Sequence, residues 1–219
     1  MLIQFWRYNI DYGLVFRTFG SDCVEIVQEF NAFCSAPHKV CDNEEVVSSL
    51  LSKVVDVDKA IGKITRGGNG PDEPETYSLK MGSAVEKPLV VNGAKNIYSY
   101  FISSIFDQNK RSMMIQDDYP YWHACGETDH SGKLLLVDSS TEGESIVQIF
   151  FDDNIERDRA HIVDVRKLPG LEKVPFDEAN DVFYTKVAPF DIITDDSYFV
   201  TAFDNILLRR SCMSRDLTS

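Results

Sequence analysis

Two adjacent carboxylates, Asp152 and Asp153, follow the apolar run "VQIFF", and Asn154 and Asp158 come shortly after them. Paired carboxylates at the end of a strand can bind a hard cation such as Mg²⁺ through one or two oxygens, with water in the other positions. A structural role is the alternative, in which Asp153 or Asn154 caps a following helix and Asp152 is solvated. The pair alone leaves both interpretations open.

Three other polar residues stand beside apolar runs. Thr18 follows "GLVFR", and its hydroxyl could donate a hydrogen bond to a phosphate with help from loop N–H groups. Arg17 precedes it and could pair with an anion. Lys133 begins the run "KLLLVD", and its ammonium suits the binding of a phosphate beside a carboxylate. Taken singly, Thr18 and Lys133 favour an ordinary loop or surface role, and Arg17 could pair with any of the 35 acids.

The elements that must position these residues follow from the hydrophobic pattern. "GLVF", "KLLLV", "VQIFF" and "HIVDV" are apolar without regular alternation, which is typical of strands buried on both faces of a parallel sheet. Helical spacing of apolar residues predicts helices after Asp22, over 43–64 and after Gly93, and the segment 196–210 is helical in length. In such α/β sheets, ligands bind at the carboxyl ends of the strands. We therefore expect an α/β fold.

One D-x-D sequence, Asp56 and Asp58, falls within the helical pattern of 43–64. Residues two apart on a helix point about 200° away from each other, so we do not expect these carboxylates to converge on one ligand.

The order of the polar residues resembles the motif order of the haloacid dehalogenase-like (HAD-like) hydrolase superfamily, over roughly residues 2 to 170. Thr18 looks like the second motif of that family and Lys133 like the third. Asp152 and Asp153 look like the acid pair of the fourth motif, and Asp153 and Asp158 have its D-x-x-x-x-D spacing. The resemblance implies one HAD-like domain over 1–219. Its sheet would be Rossmann-like and parallel, with helices on both faces and an insertion or cap-like segment at 36–112.

The resemblance also implies magnesium-dependent hydrolysis of a phosphorylated small molecule or protein. Asp152 and Asp153 would hold the Mg²⁺, with Asn154 and Asp158 as secondary positions. Thr18, Arg17 and Lys133 would bind the phosphate, and Thr18 and Lys133 would belong to the catalytic set.

The first motif of the family, a D-x-D that supplies the nucleophile and the acid/base, has no counterpart before Thr18, because only 17 residues precede it. We expect the first strand to be missing and hydrolysis by this chain to be impaired. Two explanations stay open: a truncated piece of a longer active enzyme, or a protein that keeps the scaffold without the chemistry. The alternative function is a non-catalytic protein-binding or scaffold role that uses the acidic surface and the segment "DDYPYW".

Composition limits the partners. The formal net charge is −13, from 35 acidic against 22 basic residues, and such a surface repels a nucleic-acid backbone. No run of about 18 apolar residues predicts a membrane span. The five cysteines form no C-x-x-C pair, which favours reduced thiols and a cytoplasmic location over a zinc site or a disulfide framework.

Overall fold

A computed structural model describes Phe5 and residues 8–36, 44–68, 75–82, 87–106, 111–138, 146–157 and 162–216 of the 219-residue chain. The chain divides into two compact units, residues 2–125 and 126–219. Both units combine helices with parallel strand pairs, which confirms the predicted α/β class. Among the described residues, no helix combines the length and the apolar composition that crossing a membrane needs.

The first unit contains a five-stranded mixed sheet in the order β1-β5-β2-β3-β4. The pairs β1·β5 and β5·β2 are parallel, and the pairs β2·β3 and β3·β4 are antiparallel. The strands are β1 (Leu14–Thr18), β2 (Ile61–Gly67), β3 (Thr76–Met81), β4 (Leu89–Asn92) and β5 (Ser112–Gln116). The helices are α1 (Cys23–Ser35), α2 (Glu44–Leu51), α3 (Ala94–Phe106) and α4 (Tyr119–Ala124).

The core of this unit includes strand β5, where Met113, Met114 and Ile115 are buried. Helix α1 packs on the sheet through an edge-to-face contact between Phe16 and Phe30, whose ring centroids are 4.8 Å apart. The predicted helix after Gly93 is confirmed: β4 ends at Asn92, Gly93 turns the chain with φ +87°, and α3 begins at Ala94.

The predicted helix over 43–64 is wrong beyond Leu51, where α2 ends. A turn follows in which the Asp56 carboxylate accepts hydrogen bonds from the backbone N–H groups of Asp58 and Lys59, and β2 then begins at Ile61. Such local bonds compete with helical ones, and the apolar residues of β2 satisfy a strand equally well. The Asp56–Asp58 pair therefore lies in a turn, contrary to the prediction.

The segment predicted as an insertion, 36–112, contributes to the main sheet of this unit. It supplies β2, β3 and β4, and β2 pairs directly with β5. Periodicity locates apolar segments but does not say which strand pairs with which, so the sequence could not distinguish an excursion from an integral part of the sheet.

The second unit contains two small sheets in the part that the structure describes, with the orders β6-β8-β9 and β10-β7. The pairs β6·β8 and β10·β7 are parallel. Its strands are β6 (Lys133–Asp138), β7 (Phe150–Asp152), β8 (Val163–Leu168), β9 (Glu172–Lys173) and β10 (Tyr184–Lys186). Its helices are α5 (Phe176–Ala179), α6 (Pro189–Thr194) and α7 (Tyr198–Asp216).

The three apolar runs of this unit form strands β6, β7 and β8, as predicted, and the last predicted helix is α7. One continuous parallel sheet was expected to carry Thr18, Lys133 and Asp152. Instead, these residues belong to three different sheets in the described chain. Strand β7 has only three residues, so its apolar run alone could not fix its neighbours.

Candidate functional site

The structure brings together two of the predicted site residues, Lys133 and Asp152, in a buried ion pair. Lys133 Nζ lies 2.9 Å from Asp152 Oδ2, and the two side chains are 8% and 9% exposed. Lys133 begins β6 and Asp152 ends β7. The pair neutralises two charges that would each be costly to bury alone.

The backbone around Asp152 is fixed on both sides. Strand β7 pairs with β10, and Val187 N donates to Asp152 O at 3.0 Å just after β10 ends. Asp152 Oδ1 accepts a hydrogen bond of 2.9 Å from Asn154 N, which closes a tight turn after the strand. Both oxygens of the carboxylate therefore have protein partners.

Asp153 and Asn154, the two residues after Asp152, are exposed and form this turn. Asn154 Nδ2 donates to Asp153 Oδ1 at 3.0 Å. The helix-cap alternative is not met within 146–157, because the chain continues through a turn as far as Arg157 without forming a helix. Asp158, the secondary position of the D-x-x-x-x-D spacing, lies outside the described residues.

The carboxylate oxygens of Asp152 and Asp153 could supply some, but not all, of the ligands of a hydrated magnesium ion. Asp153 offers an exposed carboxylate, and Asp152 has lone pairs beyond those that Lys133 and Asn154 N occupy. Mg²⁺ often uses one or two carboxylates together with water and substrate phosphate. The described residues contain no group of three or more metal-ligating side chains, so these residues do not make a closed cation cage.

Arg17 and Thr18, the other predicted phosphate ligands, have partners within the first unit. Arg17 forms a bidentate pair with Asp117, in which Nε lies 2.8 Å from Oδ2 and the side chains are 6% and 3% exposed. Thr18 Oγ1 accepts a hydrogen bond of 2.9 Å from Gly20 N.

Arg17 and Thr18 belong to the first unit, and Lys133 and Asp152 to the second. A single phosphate site that uses all four residues stays a prediction.

The segment "DDYPYW" is anchored to the first unit. Asp117 pairs with Arg17, and Asp118 caps α4 by accepting a hydrogen bond of 3.2 Å from Tyr121 N. The Trp122 ring stacks on Phe19 at 4.8 Å between centroids. Its two acids therefore serve the fold, although Tyr119 is exposed.

The hydrophobic pattern does not reveal one unusual residue, Lys53. Its side chain is 2% exposed, and its ammonium donates to Tyr12 O and lies 3.9 Å from the centroid of the Tyr12 ring. Burial, together with repulsion from Arg111, lowers the pKa of Lys53 to about 8. Burial raises the pKa of Tyr12 to about 12. The neighbours of Lys53 do not indicate its burial, because Val54 is exposed and Val55 is buried.

Comparison of the chain with protein-family models, with curated proteins and with solved structures gives no match. Its architecture is that of an α/β protein.

Proposed function

We propose that this chain is a HAD-like phosphatase relative that binds a phosphate group together with Mg²⁺ after β7, with hydrolysis impaired. The observation that carries the proposal is the buried contact between Lys133 and Asp152, directly beside the exposed Asp153. These are three of the residues that the motif order assigns to cation and phosphate binding.

The charges of this cluster favour binding in a definite order. Two carboxylates and one ammonium leave one net negative charge, which attracts a divalent cation. Once the cation is bound, the cluster is positive and attracts a phosphate dianion. Asp152 and Asp153 would hold the hydrated Mg²⁺, which would neutralise phosphate oxygens, and Lys133 would add a fixed positive charge beside them.

Impaired hydrolysis is expected from the residue types. A phosphatase of this kind needs a carboxylate nucleophile, whereas Thr18 and Lys133 can only position a phosphate and neutralise its charge. The one D-x-D of the 219 residues is Asp56 and Asp58, and the Asp56 carboxylate is bonded to the backbone of its own turn. We therefore expect binding without efficient turnover.

The test is calorimetric titration of Mg²⁺, and then of inorganic phosphate, into the wild-type chain and Asp153→Asn. Asp153→Asn removes an exposed anionic ligand without disturbing the buried pair. We expect its Mg²⁺ affinity to fall at least tenfold, about 1.4 kcal/mol. Asp204→Asn, which changes an exposed acid of α7, is the matched control and should bind Mg²⁺ as the wild type does.

Three results would contradict the proposal. The first is Mg²⁺ affinity that is unchanged in Asp153→Asn, which would remove the metal role of Asp153. The second is phosphate binding that does not depend on Mg²⁺. Hydrolysis of an aryl phosphate should be negligible for both proteins, and turnover that survives Asp153→Asn would contradict the assigned roles.

A non-catalytic protein-binding function is the second candidate. Exposed apolar side chains on α6 favour it, and they are distinct from Lys133, Asp152 and Asp153.

A further inference from the structure

Helix α6 presents two large apolar side chains to solvent. Phe190 is 83% exposed and Ile193 is 80% exposed. They are three residues apart on the helix, so they lie on the same face. Single exposed apolar residues are ordinary on a protein surface, but two large neighbouring ones with this exposure indicate a contact surface.

The start of α6 is bonded to α7, and the helix closes its own last turn. Ala188 N, at the start of the helix, donates to the Tyr198 hydroxyl of α7 at 3.1 Å. At the other end, Asp195 N donates to Asp191 O at 2.8 Å. Val187, just before the helix, is buried. A surface that is already ordered loses little conformational entropy when a partner binds.

A cavity of about 460 Å³ adjoins the end of α6. Asp195, two residues after Ile193, forms part of its wall together with Tyr198 of α7. Asp181 and Thr185 contribute polar groups to the same cavity. The cavity therefore offers carboxylate and hydroxyl oxygens, together with the guanidinium of Arg209, near the end of α6.

The charge around this surface is mainly negative, and Arg209, which also lines the cavity, pairs with Asp181 at 3.3 Å. Residues 187–208 include four acids and no lysine or arginine. Hydrogen bonds from the Ser197 hydroxyl and the Ser197 N–H lower the pKa of Asp195, which keeps its carboxylate ionised. The whole chain carries −13, so a second copy, a nucleic acid or an anionic lipid surface would be repelled.

We infer that α6 and the adjoining cavity bind a cationic amphipathic segment of a partner protein. An apolar side chain of the partner covers Phe190 and Ile193, and a neighbouring lysine or arginine enters the cavity beside Asp195. This inference deepens the second candidate function and names the chemistry of the partner. It does not depend on the phosphate site, which uses other residues.

The experiment uses a fluorescein-labelled peptide of alternating leucine and lysine as the probe, and fluorescence anisotropy as the readout. The variant Phe190→Ala/Ile193→Ala should bind this peptide at least tenfold more weakly than the wild type. The matched control is Leu89→Ala/Val90→Ala, which removes two apolar side chains that are 51% and 52% exposed on β4. The control should bind as the wild type does, because Leu89 and Val90 are not part of α6. Equal weakening in both double variants would indicate non-specific adhesion to exposed apolar side chains.

Two further measurements separate charge from apolar contact. Asp195→Asn should weaken binding and reduce its dependence on salt, because one ion pair is lost. A labelled peptide of alternating leucine and glutamate should bind at least tenfold more weakly than the lysine peptide.

Three outcomes would overturn the inference. The first is that the wild type and Phe190→Ala/Ile193→Ala bind the lysine peptide equally. The second is that the wild type binds the two peptides equally. The third is that light scattering shows a wild-type dimer which the double variant abolishes. Mg²⁺ titration of the double variant should match the wild type. A failure at α6 is thereby distinguished from a failure of the phosphate site.

Discussion

Lys53 couples stability to pH at the scale of a single residue. Its folded-state pKa of about 8 lies below the ordinary value of 10.5, so between these values the unfolded chain binds more protons than the folded chain. Stability therefore rises with pH across this window. The shift corresponds to about 3 kcal/mol of stability that is missing at pH 7 and is recovered as pH approaches 10.5.

We predict that Lys53→Met removes most of this pH dependence, because methionine fills the same space without a titrating group. Urea unfolding at pH 7.0, 8.0 and 9.5 measures it, and the wild type should gain about 2 kcal/mol more than the variant over this range. Lys63→Met, which replaces an exposed lysine of β2, is the control and should keep the wild-type slope. If the unfolding free energies of the wild type and Lys53→Met change equally with pH, the Lys53 ammonium is solvated in the folded protein.

At the scale of elements, the buried pair of Arg17 and Asp117 joins the end of β1 to the residue after β5. Both ends also share a backbone bond, in which Asp117 N donates to Thr18 O at 2.7 Å. Breaking a buried pair on one side leaves an uncompensated charge, which typically costs about 3–5 kcal/mol. The ion pair of Arg111 and Asp11 is much more exposed, and exposed pairs contribute about 0–1 kcal/mol.

We predict that Asp117→Ala lowers the unfolding free energy by about 3–5 kcal/mol, whereas Asp11→Ala lowers it by less than about 1 kcal/mol. The double variant Arg17→Met/Asp117→Leu should be more stable than Asp117→Ala, because no charge is left buried. Chemical unfolding of the four proteins provides the measurement. Equal losses for Asp117→Ala and Asp11→Ala would mean that Arg17 reaches water once its partner is removed.

The elements also show what the sequence could determine. Strand β1, the turn at Gly93 with α3, and the strands β6 to β8 were predictable, because each is an apolar run bounded by residues that favour turns. The region after Leu51 was not predictable, because Ile61 and Ile64 fit a helix and a strand equally well. The Asp56 turn, which decides between them, depends on one side chain bonding its own backbone.

The candidate site was predictable only in part, for a related reason. The sequence predicted that Lys133 and Asp152 lie at the ends of strands, and the structure has them at the start of β6 and the end of β7. It also shows that their side chains are in contact. The partners of Arg17 and Thr18 depend on parallel pairing between strands that are distant in sequence, and local patterns do not encode that pairing. The exposed apolar residues of α6 could not be recognised either, because an exposed and a buried phenylalanine look alike in sequence.

At the scale of the whole molecule, the two proposals involve one connected part of the second unit. Strand β10 pairs with β7, which carries Asp152, and it also contributes Thr185 to the cavity near α6. Val187 N bonds to Asp152 O immediately before α6 begins. The β7–β10 ladder therefore links the two proposed sites through backbone hydrogen bonds. A ligand at one site could change the affinity of the other only by shifting this ladder.

We predict that the two sites bind independently, because the one charged side chain of β10, Lys186, pairs with Glu156 and with neither proposed site. Each ligand at 100 times its Kd should stabilise the fold by about 2.7 kcal/mol, and the two effects should add within about 0.5 kcal/mol. Urea unfolding with Mg²⁺ and phosphate, with the leucine–lysine peptide, and with both measures this. Asp153→Asn should lose only the first increment and Phe190→Ala/Ile193→Ala only the second. A combined effect that departs from the sum would instead make the β7–β10 ladder an allosteric connection, and by linkage each ligand would then change the affinity of the other by the same factor.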